Sequence, residues 1–346
     1  MRKFANTLLV LAVCLTIAIP AFCINLKPDQ ISVTENRTLA QPNWDSGING
    51  FMKSVSASID DRIGLREAMM NLYTKVMFTT LNANHSDVIV GEDGWLFYNG
   101  DIPDYSGSNN TDEIVAHQIE VLTAIDAWCK ERDITFILAV GPNKSAVYDN
   151  CMPAGIYQAE QSKAQRITEL LREQGIHASY TKDEMLLHRD ETELYYKLDT
   201  HWNSYGARFM MEDMLTQLGL PIREFTYIPT PVIEGDLMNM MGTGYNGVYS
   251  LQVESELAPN ARLEELAGTS HIYIHSENTE KIVCYRDSFH RVMLPFYTYY
   301  FHGNVFWDFN IDFDFVEQEA PKYLILSCVE RFFDDMIRAN EDILNS

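Results

Sequence analysis

Asp199 and His201 stand two residues apart in Lys197-Leu198-Asp199-Thr200-His201-Trp202-Asn203-Ser204-Tyr205-Gly206. At a strand end or in a tight loop, residues i and i+2 point the same way. The carboxylate could then orient one ring nitrogen of the imidazole and steady the imidazolium that forms when the ring takes a proton. A nucleophile for that base lies far downstream, where the apolar run Ile282-Val283-Cys284-Tyr285-Arg286 ends in Asp287-Ser288-Phe289. A serine hydroxyl is a poor nucleophile until a base takes its proton. His201 could be that base, with Asp199 fixing its tautomer. Backbone N–H groups at a sharp turn around Ser288 could bind a developing oxyanion.

Plainer readings stand beside this one. Asp199 could cap a helix, Ser288 could be a turn serine, and His201 a structural hydrogen-bonding group. His290 competes for the role of base, or occupies an exposed helix position. Asp199 and His201 could also ligate a metal, but no third ligand has a recognisable spacing. Asn143 and Lys144 could donate to an acyl oxygen or a sugar, although Pro142-Asn143 also reads as a turn. Trp95, Tyr98 and Trp202 could stack on sugar rings or form local core.

The elements that must position these residues follow from periodicity. Thr111 to Arg132 reads as a helix capped by Thr111, and Gln161 to Gln174 as another closed by Gly175. Ala207, Met210, Met211, Met214, Leu215 and Leu218 recur at helical spacing after Asn203 or Ser204, either of which can cap. Ile134–Val140, Ile176–Tyr180, Ile272–Ile274, Lys281–Tyr285 and Tyr323–Ser327 read as strands, and a last helix starts near Phe332. Val88–Val90 and Trp95–Tyr98 flank a Gly-Glu-Asp-Gly turn and read as a hairpin. Phe51 to Met77 reads as helical with a break at Gly64, and Met238 to Gly247 as a mobile loop without a nucleotide fingerprint. Strands alternating with helices predict an α/β domain with a parallel sheet. Its ligand edge lies at the carboxyl ends of the strands, where Gly141–Lys144, Arg286–Ser288 and Ser327–Arg331 would meet.

The chain has 346 residues and a formal net charge of −23, from 49 Asp and Glu against 26 Lys and Arg. That field repels phosphate backbones and argues against nucleic acid as a partner. Arg2 and Lys3 precede the apolar run Leu8–Ile19, which reads as a signal peptide or an uncleaved anchor over residues 1–24. Residues 25–80 read as an N-terminal extension and 81–346 as the main domain. Cys129, Cys151, Cys284 and Cys328 are too scattered for a disulfide framework; Cys284 and Cys328 read as buried free thiols.

Several stretches together resemble the DHHW proteins and the SGNH-hydrolase-like domains of alginate O-acetylation proteins. Asp199-Thr200-His201-Trp202-Asn203 with Gly206 resembles their Asp-x-His-Trp signature. Gly91-Glu92-Asp93-Gly94-Trp95-Leu96-Phe97 resembles a second segment, and Pro142-Asn143-Lys144 with Val147, Tyr148 and Pro153 a third. Glu35-Asn36-Arg37, Asp61-Arg62 and Arg66 fit the N-terminal pattern, and Glu330-Arg331 the C-terminal one. The resemblance implies a three-layer α/β/α SGNH-like domain with a parallel central sheet. The motif order is permuted so that Asp and His precede Ser, and a helical N-terminal extension is added. It implies a triad of Ser288, His201 and Asp199, with Asn143, Lys144, Trp202, Arg286 and Arg331 as candidates for substrate or oxyanion contacts. The implied activity is acetyl transfer to, or acetyl-ester cleavage from, an extracytoplasmic polysaccharide. It needs no cofactor, and a membrane-bound acyltransferase partner would supply the acetyl group. Arg286 departs from the family, whose motif there is Gly-Asp-Ser-Phe. An arginine could alter the oxyanion geometry or bind an anion. It favours a second expectation, a catalytically inactive glycan-binding or envelope-assembly protein that keeps the fold.

Overall fold

A computed structural model of the chain describes residues 31–32, 37–44, 47–62, 87–232, 235–241, 250–266 and 268–345. They fall into two compact units, one of residues 1–88 with 236–246 and one of residues 89–235 with 247–346. In the first, β1 (Ile31–Ser32) pairs antiparallel with β2 (Arg37–Thr38), and helix α1 spans Gly47–Arg62. Ala40 N–H donates to Asp61 at 2.7 Å, and Arg62 returns a bond to Ala40 O at 2.6 Å. The helix begins four residues before the expected start at Phe51. The expected break at Gly64 and the apolar run of residues 1–24 lie outside the described residues.

In the second unit the hairpin appears as β3 (Val88–Val90) and β4 (Leu96–Tyr98), joined by a 3₁₀ turn over Glu92–Gly94. Helix α2 (Asp112–Lys130) is capped by Thr111, and α3 (Lys163–Glu173) by Ser162. Strand β5 (Thr135–Gly141) lies between them in sequence, and β6 (His177–Ser179) follows α3. Helix α4 is Ser204–Gln217, and Asn203 is its cap: its side-chain oxygen accepts from Tyr205 and Gly206 N–H at 2.9 and 3.1 Å. Four strands then come in pairs, β7 (Tyr227–Val232) with β8 (Ser250–Ser255), and β9 (Arg262–Glu265) with β10 (His271–His275). The expected loop from Met238 belongs to the first unit and is in part helical, since Asp236–Met240 forms a short helix; residues 242–249 lie outside the described residues. The chain closes with β11 (Glu280–Arg286), β12 (Phe301–Trp307), helix α5 (Phe313–Glu319), β13 (Tyr323–Val329) and helix α6 (Phe333–Arg338).

The central sheet has seven strands in the order β6-β5-β13-β11-β12-β10-β9. The first five are parallel, and β10 and β9 add an antiparallel edge. All seven residues of β13 are buried, as a strand covered on both faces requires. Side chains alternate between two apolar layers. Phe136, Leu138 and Val140 of β5 join Val121, Ile125, Ile167 and Leu171 of α2 and α3 on one face. Ile137 and Ala139 join Met210, Met211 and Met214 of α4 on the other, with Trp202 and Phe289. The α4 methionines are thus core. The result is the three-layer α/β/α arrangement with a mostly parallel sheet. Cys129, Cys151, Cys284 and Cys328 are buried free thiols. Among the described residues, no helix is long and apolar enough to cross a membrane.

Candidate active site

Three loops leave the carboxyl edge of adjacent strands. Gly141–Lys144 follows β5, Glu330–Arg331 follows β13, and Asp287–Ser288 follows β11. Residues 195–202 reach the same edge as a tight loop closed by a bridge between Tyr195 and Trp202. Tyr196 N–H donates to His201 O at 3.1 Å and Asn203 N–H to Leu194 O at 3.0 Å.

Outside bonds hold that loop in place. Lys144, 1% exposed, donates through Nζ to the carbonyls of Tyr196, Lys197 and Asp199 at 3.2, 3.3 and 2.6 Å. Tyr195 hydroxyl donates to Pro142 O at 2.7 Å, and Leu96 N–H of β4 to Lys197 O at 3.1 Å. Trp202 Nε1 donates to Phe289 O at 2.8 Å, which links the loop to the turn after Ser288. Two glycines make room. A Cβ on Gly206 would lie 2.5 Å from Leu194 O, and one on Gly141 would lie 2.9 Å from the Phe289 ring and 3.2 Å from Trp202.

The loop delivers a line of three side chains. His201 Nδ1 is 2.8 Å from Asp199 Oδ1, and His201 Nε2 is 3.2 Å from Ser288 Oγ. Asp199 Oδ1 also accepts the His201 backbone N–H at 2.8 Å. An ionised carboxylate only accepts, so Nδ1 carries the ring proton and Nε2 is left to accept from the serine hydroxyl. Phe289 stacks on the imidazole, with ring centroids 5.6 Å apart and planes at 27°. His201 and Asp199 side chains keep 27% and 18% exposure, so the line is open to a ligand. It opens onto a cleft of about 870 Å³, lined by Tyr196, Ile228, Leu263, Ile272, Val292 and Leu294 among others. This arrangement can deprotonate Ser288 as it attacks and hold the resulting imidazolium.

The other expected residues take different places. Asn143 is buried: its backbone N–H donates to Glu330 Oε2 at 3.2 Å and its amide to Asp104 Oδ2 at 3.1 Å. Its side-chain oxygen accepts from Arg331 N–H at 3.3 Å. Arg331 donates to Asp101 Oδ1 at 3.3 Å and lies over the rings of Tyr98, Phe289 and Phe332. Trp202 is fully buried and Trp95 stacks on Tyr148 with centroids 4.1 Å apart, so both indoles are core. Arg286 is 2% exposed and donates to Asp287 O at 2.8 Å. Burial lowers its pKa, with nearby Cys284 acting the other way.

His290 corrects an expectation of exposure. It is completely buried in the 3₁₀ turn Phe289–Met293, with Nδ1 3.1 Å from Asp287 Oδ1. The cause is tertiary: β11 ends in the sheet interior, so the turn after it packs under Trp202. Burial pushes the Asp287 carboxyl up, but bonds from His290 and from Val329 N–H at 2.7 Å outweigh it and hold Asp287 below the usual carboxylate range. Sequence reasoning missed the buried acids behind the loops. Burial raises Asp101 to about 6 against the pull of Arg331, and raises Asp104 to about 7 with help from Glu330. Burial also raises Glu330, against hydrogen bonds from Ser162 and Asn143. Nothing in the local pattern around Ile102-Pro103-Asp104 marks these carboxyls as buried.

Residues 88–263, just over half of the chain, match the family model described as an SGNH hydrolase-like domain, acetyltransferase AlgX. A probable alginate O-acetylase AlgJ of Pseudomonas aeruginosa is 24% identical over 190 residues, 53% of this chain and 46% of the relative. That of Pseudomonas syringae is 23% identical over 186 residues, 51% and 44%. The chain thus spans about half the length of these curated relatives. Among solved structures, Bacillus cereus PatB1 superposes with a TM-score of 0.55 at 13% identity, covering 73% of this chain and 99% of that one. A DHHW family protein from Eubacterium siraeum gives 0.54 at 14%, covering 76% and 97%. The O-acetyltransferase domain of Pseudomonas putida AlgJ gives 0.51 at 12%, covering 74% and 98%. These three likenesses are of fold.

Proposed function

The chain belongs to the family of SGNH hydrolase-like acetyltransferase domains, and from that premise we propose that it moves acetyl groups through a serine acetyl-enzyme on a polysaccharide outside the cytoplasmic membrane. The observation that carries this reading is the Ser288–His201–Asp199 line at the head of the cleft. Ser288 Oγ attacks the carbonyl carbon of an acetyl ester while His201 Nε2 takes its proton. Asp199 holds the imidazolium. Backbone N–H groups at the Ser288 turn receive the oxyanion. The C–O bond of the ester breaks, the leaving oxygen takes the proton from His201, and acetyl-Ser288 remains. A sugar hydroxyl then repeats the sequence in reverse as a transferase acceptor; water does so in an esterase. A membrane-bound acyltransferase is the proposed source of acetyl groups. The apolar run Leu8–Ile19 behind Arg2 and Lys3 supports export.

The inactive, glycan-binding alternative drew on Arg286. Its guanidinium is buried and engaged by the Asp287 carbonyl, which supports the active reading. Intact mass after exposure to an activated acetyl ester tests the proposal, with Ser288→Ala and His201→Ala alongside. Turnover lost in both variants is expected. No turnover and no adduct in the folded wild type would favour the inactive reading.

A further inference from the structure

We propose that Arg286 is a positioning residue for the oxyanion: by donating to the Asp287 carbonyl it sets the 287–288 peptide so that the Ser288 N–H faces the acyl oxygen; this rests on the acetyl-transfer reading. Arg286 is the last residue of β11. Side chains alternate along that strand. Ile282 and Cys284 lie in the layer of Phe289 and Tyr297, and Val283 and Tyr285 in the other. Arg286 continues the first series. Its guanidinium is therefore buried on the side of Cys284 and Tyr297, and its Nη1 donates to Asp287 O at 2.8 Å.

A trans peptide is planar, and its C=O and N–H point in opposite directions. A donor that grips Asp287 O therefore fixes where the Ser288 N–H points, which is away from the guanidinium. The Asp287 side chain is anchored separately: Oδ1 accepts from His290 N–H at 3.1 Å and Oδ2 from Val329 N–H at 2.7 Å. The freedom that remains is rotation of the 287–288 peptide plane, and the Arg286 bond opposes it. The next two carbonyls are gripped as well. Ser288 O accepts from Arg291 N–H at 3.1 Å, and Phe289 O from Trp202 Nε1 at 2.8 Å. Three successive peptides around the nucleophile are thus pinned by their carbonyl ends. Of the matching N–H groups, that of His290 is engaged by Asp287. Among the described residues, those of Ser288 and Phe289 remain as the donors this turn can offer a ligand.

A charged donor makes a stronger hydrogen bond than a neutral one. A cation on the carbonyl also polarises the amide, which strengthens its N–H as a donor. A glycine at position 286 offers neither effect. Base and donor then act on one attack, since Ser288 Oγ is 3.2 Å from His201 Nε2. As Oγ adds to the carbonyl carbon, its proton passes to His201, the C=O π pair moves onto oxygen, and the Ser288 N–H receives that charge. A donor aimed at charge that develops only in the transition state acts on kcat more than on KM. Arg286 itself touches no reacting atom in this scheme; it acts through the peptide.

Turnover of an activated acetyl ester and inhibition by a carbonyl-labelled trifluoromethyl ketone test this on the full chain, with Arg286→Met, Arg286→Gln and Arg286→Lys. Ser288 Oγ adds to such a ketone, His201 takes the proton, and the hemiketal oxygen stays as an oxyanion. Rates are normalised to the folded fraction from thermal melting. Arg286→Met is expected to lower kcat at least about tenfold with KM little changed, and to weaken the ketone by a similar factor. The hemiketal carbon, followed by NMR, should titrate at higher pH in that variant, because a less well bound oxyanion takes a proton more readily. Arg286→Lys, which keeps a cationic donor, should recover much of the loss. If Arg286→Met does not fold, Arg286→Gln, a shorter neutral donor, carries the same paired reading. Ketone inhibition and hemiketal titration at wild-type values in a folded Met or Gln variant would overturn the inference, whatever happens to kcat. So would an Arg286→Lys enzyme no better than these. Wild type that neither turns over the ester nor binds the ketone overturns the acetyl-transfer reading and this inference with it; a competent wild type with unmoved variants overturns this inference alone.

Discussion

Ser288, His201 and Asp199 form a line in which each hydrogen bond fixes the next. Loss of Ser288 or His201 to alanine should lower ester turnover by about 10³-fold or more, and Asp199→Asn by about 10²- to 10⁴-fold, since an amide can stabilise the wrong tautomer. Steady-state kinetics with an activated acetyl ester reads all three. Arg286 belongs to the same scale. It stands where the family usually has glycine, yet restoring glycine should not help. Arg286→Gly would leave a cavity beside Cys284 and Tyr297 and remove the donor to Asp287 O. A loss of about 3 kcal/mol of stability is expected, measured by denaturant unfolding.

At the scale of elements, the proposed catalytic line depends on a loop with no regular structure of its own. Residues 195–202 are held by Lys144, by β4 and by the Trp202–Phe289 bond. Lys144→Met keeps most of the aliphatic stem but withdraws the donor from three carbonyls. The expected cost is about 1–3 kcal/mol of stability. With it comes a fall in kcat of about 10- to 100-fold, because a small displacement of His201 from Ser288 is enough to lose the productive geometry. Parallel measurement of thermal midpoint and kcat checks both; an unchanged kcat would show that the loop does not need this clamp. Asn203→Ala removes the α4 cap and should cost about 1 kcal/mol.

For the whole molecule, pH dependence comes from carboxyls that burial disfavours in their charged form. Asp101 and Asp104 are raised from 3.8 to about 6 and about 7. The folded chain therefore binds more protons than the unfolded one between those values, so stability falls as pH rises from about 4 to about 7. Asp287 acts in the opposite sense: its stabilisation is present above 3.8 and lost as acid protonates it. Thermal midpoints across this range should decline toward neutrality, and Asp104→Asn should flatten the decline. A slope unchanged by that substitution would mean that Asp104 is already ionised in the folded state at acid pH.

The elements of the sheet were legible because burial on two faces leaves a local mark. Runs such as Phe136–Val140 and Tyr323–Leu326 are apolar without interruption, and α4 shows its methionines at helical spacing. The Asp-Thr-His-Trp-Asn segment and the Asp-Ser after an apolar strand were likewise readable as chemistry, since residue type and spacing are properties of the chain. Roles set by distant contacts were not. Lys144 and Asn143 looked like donors to a substrate, but they are consumed by the backbone of residues 196–199 and by Asp104, Glu330 and Arg331. His290 looked exposed and is buried, because its turn lies beneath Trp202. The sequence determined which residues could react; the tertiary structure alone decided which of them meet, because that depends on contacts between segments as far apart in the chain as Asp101 and Arg331, 230 residues.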